Sequence, residues 1–309
     1  MHRREFLAGL LPAAALAAQP QSSIAAGKEA GAAPVATQLA ERLWLITGCG
    51  GNVTLFHSPE GVLLVDGGAA AHSRRLVAEV RRLTGTDRVH TLFNTHWHAD
   101  QTGSNLPLGK AGTRIIAHEN TRLWLTTEVA SKWEGKVYPP LPKIAQPGET
   151  FYTTGSLGFG GETIDYGYLP QAHTDGDIYV FFRKANVLVG GDVVSKGSFP
   201  IIDYVTNGWI GGAGDAAKTL SELADERTQV VPGMGPAVGR AHLLAEQAML
   251  ATMRQRLSKL MAQGKSAQEM IAARPAEEFE AEWGDPKLFI SNSYPGMAHR
   301  ARELGVSIV

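Results

Sequence analysis

Asn94-Thr95-His96-Trp97-His98-Ala99-Asp100 closes a strand-like apolar run, residues 88–94, and sets two imidazoles and a carboxylate on the loop beyond it. Two histidines separated by one residue, released from a strand end, are able to converge on one cation. Neutral imidazole suits Zn2+, which takes three protein ligands in catalytic sites and keeps a further position for water. A lone histidine is more often structural. The His-x-His-x-Asp spacing, with Gly103 following for a tight turn, is much more specific. Two later places have the same character. His173 stands in the turn-rich Gln171-Ala172-His173-Thr174-Asp175-Gly176-Asp177, and Asp192 follows the buried-strand pattern Val187-Leu188-Val189-Gly190-Gly191. One acid at a strand end says little, but acids and histidines at several strand ends can meet on one rim of a sheet.

Working outward, the chain alternates strand-like and helix-like stretches from about Gln38. Residues 43–47 and 52–57 are short apolar segments separated by glycines and predict a hairpin. Residues 61–66 predict a buried strand ending in Asp66, and residues 73–84 a helix with Leu76, Val77, Val80 and Leu83 on one face. Residues 113–117, 162–169, 178–183, 186–189 and 229–231 also have strand patterns, and 215–224 and 243–261 helical ones. Residues 126–150 contain four prolines and little periodicity, which predicts a long loop. Residues 265–304 predict further helices with a proline-containing break. Periodicity alone supports a mixed α/β fold.

Composition narrows the function. Twenty-nine lysines and arginines against 30 acids leave a net charge of −1, without the basic stripe that a nucleic-acid partner needs. The 35 glycines suit a fold of many turns. The single cysteine, Cys49, excludes an intramolecular disulfide and lies in a predicted turn. At the N-terminus, Arg3-Arg4 precede an apolar run over residues 6–18, followed by small residues. This is the grammar of a secretory signal. Arg3-Arg4-Glu5-Phe6-Leu7 is similar to the twin-arginine type, which exports folded chains. The expectation is a signal over residues 1–26, a linker over 27–37, a domain over 38–309, and a periplasmic mature protein without a membrane span.

The motifs resemble those of the metallo-β-lactamase superfamily over nearly all of residues 40–309. Residues 94–103 match the His-x-His-x-Asp-His motif at every position but one, Ala172-His173-Thr174 the third-histidine motif, and Gly191-Asp192 that of the bridging acid. Val231-Pro232-Gly233-Met234-Gly235-Pro236 matches a Pro-Gly-His-Gly segment with one change. Ser198-Phe199-Pro200-Ile201-Ile202-Asp203 and the glycines at 208–212 resemble a periplasmic branch associated with quinoprotein relay and sulfur oxidation. The resemblance implies a four-layer αββα sandwich. It implies a first metal held by His96, His98 and His173, and a second site that would use Asp100, the position next to it, Asp192 and the histidine of the Pro-Gly-His-Gly segment. Those two variable positions are Gln101 and Met234 here. An amide is a poor substitute for imidazole at zinc, and a thioether prefers softer ions. The expectation is therefore one tightly bound Zn2+ and a second that is weak or absent, with His242 or His299 as the residues that would have to swing in to repair the site.

The resemblance also implies a hydrolase in which a metal-bound hydroxide attacks an ester, thioester, lactam or related small molecule, with Asp100 orienting the water or taking its proton. Two other readings stand beside it. His96, His173 and Asp192 are able to form the facial set of a mononuclear iron enzyme resembling persulfide dioxygenases. The loss of two ligands would also suit a non-catalytic periplasmic accessory protein. Asp66 is expected to support the metal-binding loop and His118 to be structural. Trp97, Trp133, Tyr138, Phe199, Tyr204 and Trp209 are expected to divide between cleft and core.

Overall fold

The structure, a computed structural model, describes residues 33–303. The expected signal over residues 1–26 lies outside them. The first sheet begins with β1 (Val35–Ala40), so the last residues of the stretch expected to be linker already pair with β2 (Leu43–Cys49). β2 continues into β3 (Gly51–Ser58) and β4 (Gly61–Val65) as an antiparallel meander. The helix α1 (Ser73–Thr84) then crosses over to β5 (Val89–Phe93), parallel to β4. The short helices α2 (Ala99–Thr102) and α3 (Asn105–Lys110) lead to β6 (Arg114–His118). α4 (Glu119–Thr126) follows, then a small hairpin of β7 (Val129–Ser131) and β8 (Lys136–Tyr138), and β9 (Glu149–Phe151) completes the seven-stranded sheet. The predicted long loop over 126–150 is thus corrected: it contains a hairpin and an edge strand whose individual strands are three residues long, too short for periodicity to register.

The second sheet runs β10 (Thr154–Phe159), β11 (Glu162–Tyr168), β12 (Ile178–Phe182), β13 (Val187–Gly191) and β14 (Gln229–Pro232) in that order, with only the last pair parallel. Between β13 and β14 lies α5 (Ile210–Leu223). It starts earlier than the helix read from residues 215–224 because Gly211 and Gly212 look like loop residues. Gly212 serves close approach instead: a Cβ there would sit 2.0 Å from the carbonyl oxygen of Gln171. After β14 come α6 (Arg240–Ala262), α7 (Ala267–Ala272), α8 (Glu280–Trp283) and α9 (Lys287–Glu303). Pro295 lies inside α9 rather than at a break.

Alternation of side chains produces the layers. Leu43, Leu45, Phe56, Leu63, Val65 and Phe93 face the second sheet and meet Ile164, Val180, Phe182, Val189 and Val231 there. Their neighbours Ile46, Leu55, Leu64 and Leu92 face the other way, against Leu76 and Val80 of α1 and Leu108 of α3. Leu188 and Val230 leave the second sheet on its outer side, under Ala216 and Leu220 of α5 and Leu243 of α6. Helix, sheet, sheet and helix are therefore four stacked layers. No helix among the described residues is long and apolar enough to cross a membrane.

α6 carries one buried acid. Glu246 is fully buried; its Oε1 accepts from the backbone N–H of Ser195 at 3.0 Å, and burial pushes its pKa up to about 8 against the pull of the Ser195 bonds. One turn earlier, His242 Nε2 hydrogen-bonds the Ser195 carbonyl at 2.6 Å, so one helix face grips the loop that follows β13 from both polar ends of a residue. Between the ordinary carboxylate range and about pH 8 the folded chain keeps a proton that the unfolded chain has released, so stability falls as pH rises through this window. A Glu246→Gln protein keeps the acceptor and cannot ionise. Chemical denaturation should find its stability less steeply dependent on pH across that window than the parent's, and the variant more stable than the parent above it, by an amount on the order of a few kcal/mol. Parallel pH profiles for the two proteins would refute this.

Candidate metal centre

His96, which follows β5, is fixed from the neighbouring strand β4. β4 ends at Asp66, in the left-handed region at φ 63°, and its carboxylate accepts from Thr95 N at 2.8 Å and Thr95 Oγ1 at 2.7 Å. Burial pushes the Asp66 pKa well up, against the pull of the two Thr95 donors. Its proton given to Asp66, the Thr95 hydroxyl accepts the Nδ1–H of His96 at 3.0 Å. Nε2 is then left bare, buried, and without a hydrogen-bond partner in the structure.

The other two histidines are held in the same manner by different elements. His98 Nε2 lies 3.1 Å from Asp203 Oδ2, and His173 Nδ1 lies 2.7 Å from the Ile201 carbonyl. A carbonyl only accepts, so His173 Nδ1 carries the hydrogen and its Nε2 is the bare atom. That atom faces His98 Nδ1 at 2.9 Å. Two imidazole nitrogens at this separation need a proton or a cation between them. Burial by itself would lower the His98 pKa, but the hydrogen bond and charge of Asp203 prevail and raise it to about 9. Asp203 falls to about 2 against the effect of its own burial. Asp203 is in turn fixed by Thr206 Oγ1 at 2.7 Å, Trp133 Nε1 at 3.1 Å and Val205 N at 3.2 Å.

Asp192, just past β13, completes the group. Its Oδ2 is 3.6 Å from His96 Nε2 and 3.6 Å from His173 Nε2. One ligating atom from each of His96, His98, His173 and Asp192 lies within 4.8 Å of the others. Three imidazole nitrogens turned inward, with the outer nitrogens tied to a carboxylate, a carbonyl and a hydroxyl, are the donor set and outer shell of a metal site. These residues fit a divalent cation.

Asp100 stands beside this group and is not one of its four members. Burial, followed by the charge of Asp192, pushes its pKa up to about 6. The β7–β8 hairpin walls the site: the Trp133 ring lies 6.2 Å from His98, and Tyr138, whose hydroxyl donates to Glu134 at 2.8 Å, packs on Trp97 at 5.4 Å. Trp97 and Phe199 are buried, while Tyr204 and Trp209 border a separate cavity of about 430 Å³ together with Gln171, His299 and Arg300. His118 stacks on Tyr168 at 3.8 Å and caps α4, a structural task. Neither His242 nor His299 joins the metal group. Gln101 is fully buried and Met234 is 47% exposed. Sequence reasoning missed the tasks of Asp203 and Asp177. Asp177 accepts both Thr174 N and Thr174 Oγ1 at 2.7 Å beside His173. A lone loop acid carries no spacing signal; only the fold brings Asp203 beneath His98.

The sequence profile described as "Metallo-beta-lactamase superfamily" matches residues 46–232, more than half of the chain and all four converged residues. The chain belongs to the metallo-beta-lactamase superfamily. Among curated superfamily proteins, the chain is 24% identical over 216 residues to "Metallo-beta-lactamase type 2" of Bacillus cereus, covering 67% of this chain and 79% of that one. It is 26% identical over 155 residues to "Metallo-beta-lactamase IND-1" of Chryseobacterium indologenes, covering 50% and 59%. Of solved structures, a metallo-beta-lactamase from Pontibacter korlensis aligns with a TM-score of 0.56 at 18% identity, over 71% of this chain and 99% of that chain. The DIM-1 metallo-beta-lactamase aligns with a TM-score of 0.57 at 18% identity, over 72% and 99%. At these identities the structural likeness establishes the superfamily fold alone.

Proposed function

We propose that this superfamily member is a hydrolase working with a single Zn2+ held by His96, His98 and His173, with Asp192 as an additional carboxylate at the same ion. The observation that carries the reading is the convergence of one ligating atom from each of His96, His98, His173 and Asp192 within 4.8 Å of one another, with His96 Nε2 buried and lacking a hydrogen-bond partner. Bound Zn2+ supplies Lewis acidity toward a carbonyl oxygen and a lowered pKa for water. The chain does the rest. Asp203, Ile201 and Thr95 keep the three rings in the tautomers that turn a lone pair inward. Asp100 accepts the proton of the attacking water and returns it to the leaving group. Trp133 and Tyr138 form a wall that screens one side from solvent. Esters, thioesters and lactams are the substrate classes that this chemistry serves, and the names of the relatives support lactams among them.

The inward placement of His98 also weighs against the two-histidine, one-carboxylate iron reading, in which His98 has no part. Metal analysis of protein expressed without added metal, followed by a hydrolysis panel, tests the proposal. We expect about one zinc per chain after mild chelation, and hydrolysis that drops roughly 10²–10⁴-fold in Asp100→Asn with metal content unchanged. One equivalent of iron with persulfide-dependent O2 uptake would replace this reading with the oxygenase. A fully loaded protein that hydrolyses nothing in the panel would leave the accessory role.

A further inference from the structure

Gln101 is a neutral polar side chain buried to 0% exposure between the two halves of the fold. Its Nε2 donates to Asp192 Oδ1 at 3.1 Å and to the Gly233 carbonyl at 3.3 Å. Asp192 is thereby divided: Oδ1 rests on the amide, and Oδ2 faces His96 and His173 at 3.6 Å from each. Two glycines make room for this contact. A Cβ on Gly233 would lie 1.6 Å from Asp192 Oδ1, and a Cβ on Gly51 would lie 2.5 Å and 2.6 Å from the two amide heavy atoms of Gln101.

The turn after β14 is fastened by amides as well. Asn52 Nδ2 donates to the carbonyls of Pro232 and Gly235 at 2.8 Å each, and Asn52 N donates to that of Gly233 at 2.8 Å. Met234 takes no part in this and turns outward, 47% exposed. The direct 3.1 Å bond already gives Asp192 Oδ1 a protein donor. The chemistry agrees with the geometry. A neutral imidazole turning a bare nitrogen on Asp192 would repel it unless a cation stood between them. An amide presents N–H hydrogens and satisfies a part-buried carboxylate oxygen without any ion.

We infer that Gln101 is a positioning residue that takes the place of a second cation, holding Asp192 Oδ1 so that Oδ2 is delivered to the first. This rests on the single-cation reading given above. The test uses Co2+-loaded protein, with stoichiometry, affinity and the visible ligand-field spectrum as readouts. The parent should bind one Co2+. Gln101→Met, similar in shape and without a donor, should lose roughly 10–100-fold in affinity and shift the spectrum as the carboxylate swings away. In an Asp192→Ala background the same change should do nothing further, because Gln101 acts through Asp192. Gln101→Glu should raise the stoichiometry toward two, since two facing carboxylates attract a cation.

A parent that binds one Co2+, with Gln101→Met and Gln101→Glu both unchanged in affinity, stoichiometry and spectrum, overturns the inference and leaves the single-cation reading intact. A parent that binds two overturns both. If Gln101→Met does not fold, the glutamate variant decides. Should that fail as well, the anomalous signal of a Co2+-loaded crystal of the parent decides: an ion between Gln101 and Asp192 refutes the assignment, and a single ion among the imidazoles with the amide on Oδ1 supports it.

Discussion

Replacing His96 by alanine will strip the chain of its tightly held cation. Nε2 of this residue is buried with no hydrogen-bond partner, and the nearest carboxylate oxygen it faces, Asp192 Oδ2, is 3.6 Å away. Its loss leaves a cation with His98, His173 and Asp192, and leaves Thr95 Oγ1 without its acceptor role. Changes in the outer shell typically cost about 10–100-fold in affinity, and the loss of a direct ligand should exceed that. Activity should fall at least in proportion. His98→Ala should reach the same end, with the difference that Asp203 keeps its bonds from Thr206, Trp133 and Val205. Equilibrium dialysis against a mild chelator, followed by elemental analysis, measures both variants. A His96→Ala protein that retained its metal through such dialysis would show that the converged group is not where the ion sits.

The second large effect comes from a residue with no side chain. Gly208→Ala would place a Cβ 2.1 Å from the His173 carbonyl oxygen, 2.8 Å from its carbon and 3.0 Å from the Asp203 carbonyl oxygen. All three are backbone atoms, so no rotamer relieves the overlap. Two bonds close the same turn: Asp203 N donates to His173 O at 2.8 Å, and Gly208 N donates to Asp203 O at 2.9 Å. One methyl group therefore pushes a ligand and the partner of another ligand in a single step. Overpacking of this kind costs about 1–3 kcal/mol, which lowers the melting temperature by roughly 2–5 °C in a chain of this size. Metal affinity should fall with it, because His173 and Asp203 cannot both keep their positions. Thermal unfolding followed by circular dichroism, with a metal titration of the same preparation, checks both halves. A variant that melts with the parent and holds its cation equally well would mean that the turn yields without disturbing the site.

The parts of the fold legible in the sequence were those with a long or strong pattern. The apolar alternation through β2 to β5 and the face Leu76–Val80 of α1 lie where the spacing puts them. The His-x-His-x-Asp run, His173 and Asp192 were readable as strand-end residues, and the structure gathers all of them except Asp100 into one group. What stayed hidden had short range or no pattern. The β7–β8 hairpin is built of three-residue strands in a proline-rich stretch. The first turn of α5 is masked by two glycines, of which Gly212 packs against the backbone of Gln171 and Gly211 against the Trp209 ring. Asp203 is one acid among many until the chain brings it under His98, 105 residues away in sequence. Gln101 was legible as a departure from a motif. Its hydrogen bonds, which give the departure a meaning, depend on a turn more than a hundred residues downstream.

The converged atoms have one further consequence, for the order of events when the protein is made. His96 and His98 follow β5 in the first sheet, His173 follows β11 and Asp192 follows β13 in the second, and the contact between His98 and His173 spans 75 residues. No local fragment holds more than two of the ligands. A cation therefore has nothing to nucleate early in synthesis, in contrast to small domains whose ligands lie close together and whose folding waits for the ion. The two sheets have to dock first, paying the entropy of closing that long loop through apolar contacts between their inner faces. The ion then enters a finished pocket as a late bolt across the seam. Because it binds only the assembled state, its contribution to stability grows with its free concentration. Its kinetic effect should fall on unfolding, which it slows, and leave the rate of folding as the bare chain sets it.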